Sequence, residues 1–234
     1  INKIVPFVSV DAIVGSTMSL QLAREANIQS APNTEGLGIK SLLTFMKNAF
    51  IFLLTFLFLE TQFVYAASLP SGENVVSGDI SISSSQNSMT ITQSSEQSII
   101  EWTSFDIGAQ NSVTFNQPSV NASALNRVVS GNPTTLAGAL NANGKVFVVN
   151  ENGVYFTPTS TINAHSFAAS TLSLSNDNFL NNIFSFSSSN QSSLQSVINK
   201  GLITTLDGGF TALLGGAVNN EGTINANLGK VSLG

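Results

Sequence analysis

Asn143-Gly144-Lys145-Val146-Phe147-Val148-Val149-Asn150-Glu151-Asn152-Gly153-Val154-Tyr155-Phe156 is the stretch whose reading decides the fold. Two Asn-Gly pairs bracket a β-branched and aromatic run, and a second apolar run leaves the second pair. Asn-Gly readily adopts positive φ, so each pair is expected to turn the chain sharply. The apolar runs are short, bounded and free of proline, which reads as strand. Asn-Gly between strands normally signals a hairpin. It also suits the corner of a coil, and the choice rests on the rest of the chain.

Outward from this stretch, the 234 residues are 42% hydrophobic and only 9% charged. A disordered chain has the opposite balance, so most of this one should fold. Polarity comes from Ser, Thr, Asn and Gln. In stacked β-structure such side chains can bond to their equivalents above and below. The net charge is −5 and there is no basic cluster, which excludes nucleic-acid binding by phosphate neutralisation. The absence of cysteine rules out disulfides and thiolate metal sites.

Residues 1–45 differ in texture from the rest of the chain and are expected to be an upstream extension of uncertain role. Their charges balance: Lys3, Arg24 and Lys40 against Asp11, Glu25 and Glu35. Residues 46–66 have the layout of a secretory signal peptide. Lys47 comes directly after Met46, Ala49 to Leu59 is apolar but for one Thr, and Val64-Tyr65-Ala66 supplies small residues at the cleavage positions. Glu60 and Gln62 cut the apolar run short of the ~20 residues a membrane span needs. The exported chain then begins near Ala67 and forms a domain over 67–234.

From Leu69 onward the pattern is β. Asp79 to Ser83, Met89 to Thr92 and Ser112 to Phe115 alternate apolar and polar residues, the mark of a strand with one face buried. Thr134 to Leu140 is expected to form one helical turn, and Asn181 to Ser196 a loop or hairpin standing off the body. Near the end, Asn199-Lys200-Gly201-Leu202-Ile203 recurs as Asn220-Glu221-Gly222-Thr223-Ile224, an offset of 21 residues. At the same offset Gly208 matches Gly229 and Phe210 matches Val231. A fixed period in this range signals a solenoid. Short strands joined by tight corners make it a parallel β-helix. At ~4.8 Å per coil the domain would supply about eight coils, a stack roughly 40 Å tall. The second repeat is barely complete at Gly234, so the natural protein is expected to continue.

Several motifs in one order resemble the filamentous-haemagglutinin-type secretion domain of two-partner secretion proteins. They are Leu69-Pro70-Ser71-Gly72; Val75-Val76-Ser77-Gly78; and Ile99 to Gly108, similar to the family's first core strand pair. Val113 to Ser119, Leu125 to Val128, Gly144 to Asn150 and Ala169 to Leu172 come next in the family's order. The resemblance implies an all-β, right-handed parallel β-helix with an N-terminal cap and extra-helical strands. It also implies a role as the address of a large adhesin or haemagglutinin-like exoprotein of Gram-negative bacteria. The partner would be an outer-membrane transporter with periplasmic POTRA domains. The domain would seed folding of a passenger that could meet host surfaces or glycans, and the protein would be secreted or held at the cell surface. Two family motifs of Asn-Pro-Asn type matter for secretion and turns. Asn150-Glu151-Asn152-Gly153 stands where the second would be, with Glu151 in place of proline. Asn116-Gln117-Pro118-Ser119 stands in for the first.

Both corners are therefore candidates for transporter recognition or for structural turns: Asn116, Gln117 and Pro118 in one, Asn150, Glu151, Asn152 and Gly153 in the other. Trp102 and Phe105 are expected to seal the cap against the first coils. Arg127 is expected to pair with Asp106 or Glu101. His165 stands alone, so no metal site is expected, and no cofactor. Parallel β-helices also host polysaccharide lyases and hydrolases, which need clustered carboxylates. The nine carboxylates after Ala67 (Glu73, Asp79, Glu96, Glu101, Asp106, Glu151, Asp177, Asp207 and Glu221) are scattered. The chain is expected not to be an enzyme. A carbohydrate-active β-helix enzyme and a direct glycan-binding or host-surface-binding module are the alternatives.

Overall fold

The computed structural model describes residues 38, 44–48, 68–188 and 195–234. The chain divides into two units, Ile1–Gln62 and Phe63–Gly234. In the first, residues 44–48 are helical and exposed. The expected signal peptide and upstream extension otherwise lie outside the described residues. Among the described residues no helix is long and apolar enough to cross a membrane.

The second unit is a three-sided parallel β-helix of about six turns. Its first face carries β1 (Asn74–Ser77), β4 (Gln97–Trp102), β6 (Ser123–Val128), β9 (Lys145–Val149), β12 (Ser166–Ser170), β15 (Phe210–Leu214) and β18 (Lys230–Leu233), hydrogen-bonded in that order. The second face has β7 (Thr134–Leu136), β10 (Val154–Phe156), β13 (Ser196–Asn199) and β16 (Ala217–Asn220). The third has β2 (Ile80–Ser84), β3 (Ser88–Gln93), β5 (Ser112–Asn116), β8 (Ala139–Ala142), β11 (Thr161–Ala164), β14 (Leu202–Thr205) and β17 (Thr223–Ala226). From β9 onward the chain visits the faces in rotation, so neighbours in a sheet are one coil apart in sequence. Among the named strands, only the start departs from parallel pairing: β1 runs antiparallel to β4 and β2 antiparallel to β3. These strands, with Leu69, Ile80 and Ile82 packed on the lumen core, cap the first coil.

The opening stretch is thus a corner, a strand, a second corner and a second strand. Val146 and Val148 face the lumen with Ala124, Phe167 and Ala169 from the coils on either side. Phe147 and Val149 point out of the prism and are also buried. A strand buried on both faces reads as an unbroken apolar run, which explains why this stretch does not alternate. Its cover is the excursion between β12 and β13. Helix α1 (Asn176–Leu180), N-capped by Ser175, brings Phe179 edge-to-face onto Phe147 at 5.5 Å. Phe184 packs on the same ring at 4.7 Å. Arg127 pins the excursion: Nη2 donates to the Leu174 carbonyl at 2.6 Å and to Asn176 Oδ1 at 2.8 Å, while Nη1 pairs with Glu101 at 3.4 Å. Of its two expected partners, Glu101 is the one it meets.

Five expectations need correction. Thr134 to Leu140 is not helical but contributes β7 and the start of β8. An isolated helical turn is marginal, and here the ladder to β10 and the burial of Leu136 and Leu140 decide. The Phe-containing excursion does not stand off the body, since Phe184 and Phe186 pack against the outer core; residues 189–194 lie outside the described residues. Ile99 to Gly108 is one strand end followed by two isolated bridges, Ser104 to Ser71 and Ile107 to Leu136, rather than a strand pair. There are about six turns instead of eight, because cap strands and the excursion consume chain without adding coils. Finally, the repeat is not uniform. Leu202 pairs with Thr223 and Ser196 with Ala217, 21 apart, but Phe210 pairs with Lys230 and Thr211 with Val231, 20 apart. Four residues (206–209) turn the corner after β14 and three (227–229) the corner after β17, so the register slips by one.

Because Phe147 serves only the outer core, replacing it separates the two cores. The variant Phe147→Ala is expected to lose about 3–5 kcal/mol. Hydrogen exchange should show lost protection over residues 174–187 before the lumen-facing strands open.

Candidate functional site: the two corners flanking the first face

The corner between β5 and β6 holds Asn116, Gln117, Pro118 and Ser119. Asn116 and Pro118 are exposed, whereas Gln117 is buried. Strand alternation carries through the corner: Val113 and Phe115 enter the lumen, and Gln117 follows them inward. Its amide then joins three coils. Gly144 N–H donates to Gln117 Oε1 at 3.0 Å. Gln117 Nε2 donates to Gln93 Oε1 and to the Ala122 and Lys145 carbonyls, each at 3.3 Å. Its backbone makes a two-point pair with the Asn143 side chain. Gln117 N–H donates to Asn143 Oδ1, and Asn143 Nδ2 to the Gln117 carbonyl, both at 2.7 Å. Ser119 accepts from the backbone N–H groups of Asn121 and Ala122 and donates to Glu96 at 2.9 Å.

The corner between β9 and β10 obeys the same logic. Asn150 is fully buried. Its Nδ2 donates to the Asn132 carbonyl and to Thr134 Oγ1 on the preceding coil, each at 2.9 Å. Its Oδ1 accepts from Asn152 N–H at 2.9 Å, closing an Asx turn. Asn152 Nδ2 reaches the Ser130 carbonyl at 2.8 Å. Glu151 is exposed at the tip. The two glycines are required for different reasons. Gly153 has φ +122°, a backbone that favours glycine. Gly144 does not have positive φ; a Cβ there would lie 2.6 Å from Gln117 Oε1 and 2.7 Å from the Ala122 carbonyl.

The motifs are not brought together. They sit at opposite ends of the first face, separated by a strand of five or six residues, roughly 17 Å. Trp102 and Phe105 do meet, edge-to-face at 5.4 Å, and both are fully buried. The indole N–H donates to Asn126 Oδ1 at 3.0 Å inside the lumen. Sequence reading missed Gln93, Asn126, Asn132, Thr134 and Asn143, the partners of these groups. A signal existed in the Gln and Asn residues at strand ends. Their intervals of 24 (Gln93 to Gln117) and 26 (Gln117 to Asn143) differ from the 21 of the visible repeat, so the ladder stayed hidden.

Several carboxylates meet partners of other types. Glu101 meets Arg127, Glu221 meets Lys200 at 3.3 Å, and Asp106 accepts from Ser104 Oγ and Thr135 N–H. Among the described residues no three His, Asp or Glu side chains could hold a metal. His165 Nδ1 lies 3.2 Å from Ser166 Oγ.

Known proteins share this architecture. The TPS secretion domain family matches residues 66–234. A heme/hemopexin-binding protein of Haemophilus influenzae strain Rd is 41% identical over 175 residues, covering 72% of this chain and 19% of that protein. Another protein of the same name from H. influenzae is 42% identical over 106 residues, 45% of this chain and 11% of its own length. The crystal structure of the HMW1 secretion domain from H. influenzae superposes with a TM-score of 0.67 at 38% identity, covering 70% of this chain and 44% of that one. This chain therefore spans about a fifth or less of the curated relatives. Those relatives are named for binding and secretion rather than for catalysis.

Burial predicts a split among the corner residues. Gln117→Ala and Asn150→Ala each strand buried partners and should cost about 1–3 kcal/mol. Asn116→Ala, at an exposed position, should stay within about 0.5 kcal/mol. Urea melts of the three variants provide the comparison.

Proposed function

We propose, from the premise that this chain belongs to the TPS secretion domain family, that residues 67–234 are the address and folding seed of a large exoprotein. The match over 66–234 carries the reading. A solved secretion domain resembles this chain in sequence and fold, and proteins named for heme/hemopexin binding resemble it in sequence. The family and the solved domain are both named for secretion, so export is the function assigned to this segment. Its partner is a cognate outer-membrane transporter, contacted through periplasmic POTRA domains. Residues 46–66 direct the chain into the periplasm first, and the finished protein is secreted or held at the surface of a Gram-negative cell.

The corner residues divide between two jobs in this reading. Gln117, Asn150, Asn152 and Gly153 hold coil to coil, and their loss lowers export by spoiling the fold. Asn116, Pro118 and Glu151 are exposed on the same corners and are the positions open to a transporter. Trp102 and Phe105 close the capped end of the lumen. A capped first coil leaves pairing free in one direction only, so coils add toward the C-terminus. Such a nucleus suits a passenger that must fold after crossing the membrane.

The test is export by the cognate transporter of a passenger fused behind residues 67–234 with a cleavable leader. Release into the medium is expected. Retention in the periplasm, with the transporter present and competent for its own substrate, would overturn the assignment. With the same fusion, combined Asn116→Ala and Pro118→Ala should reduce export at least about threefold, well beyond what a change within about 0.5 kcal/mol in stability would produce.

A further inference from the structure

The stretch that fixes the fold also contains a chemical liability that the fold restrains. Asn143-Gly144 and Asn152-Gly153 are the chain's two Asn-Gly pairs. In such a pair the glycine nitrogen can attack the asparagine side-chain carbonyl carbon, because no Cβ on the next residue obstructs the approach. The N–Cγ bond forms, the Cγ–Nδ2 bond breaks and ammonia leaves. Water then opens the resulting succinimide on either side to give aspartate or isoaspartate. The net change is water in and ammonia out, and no oxidant or cofactor is needed.

In the folded domain both the attacking and the leaving nitrogen are engaged at each pair. Gly144 N–H donates to Gln117 Oε1 at 3.0 Å, and Asn143 Nδ2 donates to the Gln117 carbonyl at 2.7 Å. Gly153 N–H donates to the Asn150 carbonyl at 3.1 Å, and Asn152 Nδ2 to the Ser130 carbonyl at 2.8 Å. Gly144 and Gly153 are both buried. Attack needs each glycine N–H released and the amide rotated, which means opening the corner. Gln117 lies 27 residues from Gly144 and Ser130 22 residues from Asn152, so these bonds form only when the coils stack, whereas the bond from Gly153 to Asn150 lies within the turn itself.

We propose that Asn143 and Asn152 are conformationally gated deamidation sites, closed in the stacked β-helix and open in the unfolded chain. Modification at Asn143 is also self-perpetuating. A carboxylate there presents an oxygen to the Gln117 carbonyl where the amide presented a donor. The isoaspartate product additionally lengthens the backbone at a corner with no room for it. A chain held unfolded too long therefore loses the ability to close the corner between its second and third coils. This inference concerns folding alone and stands whether or not the export assignment does.

The unmodified 234-residue chain is incubated at mildly alkaline pH, once folded and once in urea, and sampled over days. Peptide mapping by mass spectrometry with isoaspartate detection tracks both pairs. Modification at both sites in urea, at least about tenfold slower in the folded chain, is expected, since the corner must open first. Equal rates in the two samples, or no reaction in urea, would overturn the gating. Aged chains are then transferred from urea to buffer. The refolded fraction should fall in step with modification at Asn143, and modified chains that refold to the stability of fresh chains would overturn the second half. Asn143→Asp should reproduce the defect, whereas Asn143→Ser, which removes the reactive amide, should abolish reaction at that pair in urea.

Discussion

Parallel stacking of coils is the constraint on which the rest of the domain depends. Apart from the cap, each coil satisfies its backbone N–H and C=O groups through the coils on either side. In-register pairing therefore places equivalent residues above one another. Asn199 Nδ2 donates to Asn220 Oδ1 at 2.7 Å, and Lys200 lies 3.3 Å from Glu221, both one repeat apart. Any residue that suits a corner must find a complementary one on the neighbouring coil. This explains the reliance on amides and hydroxyls in place of charge: an amide is donor and acceptor at once and can continue a ladder in both directions, whereas stacked like charges repel.

Corners are where that constraint becomes specific. Strand ladders tolerate many side chains, but a corner breaks the ladder and leaves backbone groups to be satisfied otherwise. Gln117 and Asn150 do so by reaching across to adjacent coils while turned inward. The residues best placed to hold the fold are thus buried in the middle of motifs whose outer positions face solvent. Structural and recognition roles interleave within four-residue segments, so loss of export after mutation in such a motif does not by itself identify a contact.

The first face adds a second layer. Among the described residues it is the only face with a core on both sides, and the excursion through α1 supplies the outer one. Arg127 and Gln97 tie that excursion down by donating to backbone carbonyls of Leu174 and Phe179. Charge is used sparingly here: Arg127 fastens the excursion and also pairs with Glu101 on the neighbouring strand.

The sequence determined the β class, the strand at Val146 to Val149 and the 21-residue period, because period-two burial and corner chemistry are local properties of the chain. It also carried the ordered motifs that resemble the TPS family. Tertiary structure decided the rest. Whether Thr134 to Leu140 became strand or helix depended on a partner strand 20 residues away. The slip from 21 to 20 between the last two coils of the first face depended on one residue fewer in a corner. The buried state of Gln117, the cover over Phe147 and the close approach that demands glycine at position 144 all depend on atoms distant in sequence. No single segment specifies them, because the groups that satisfy each one arrive only when the coils stack.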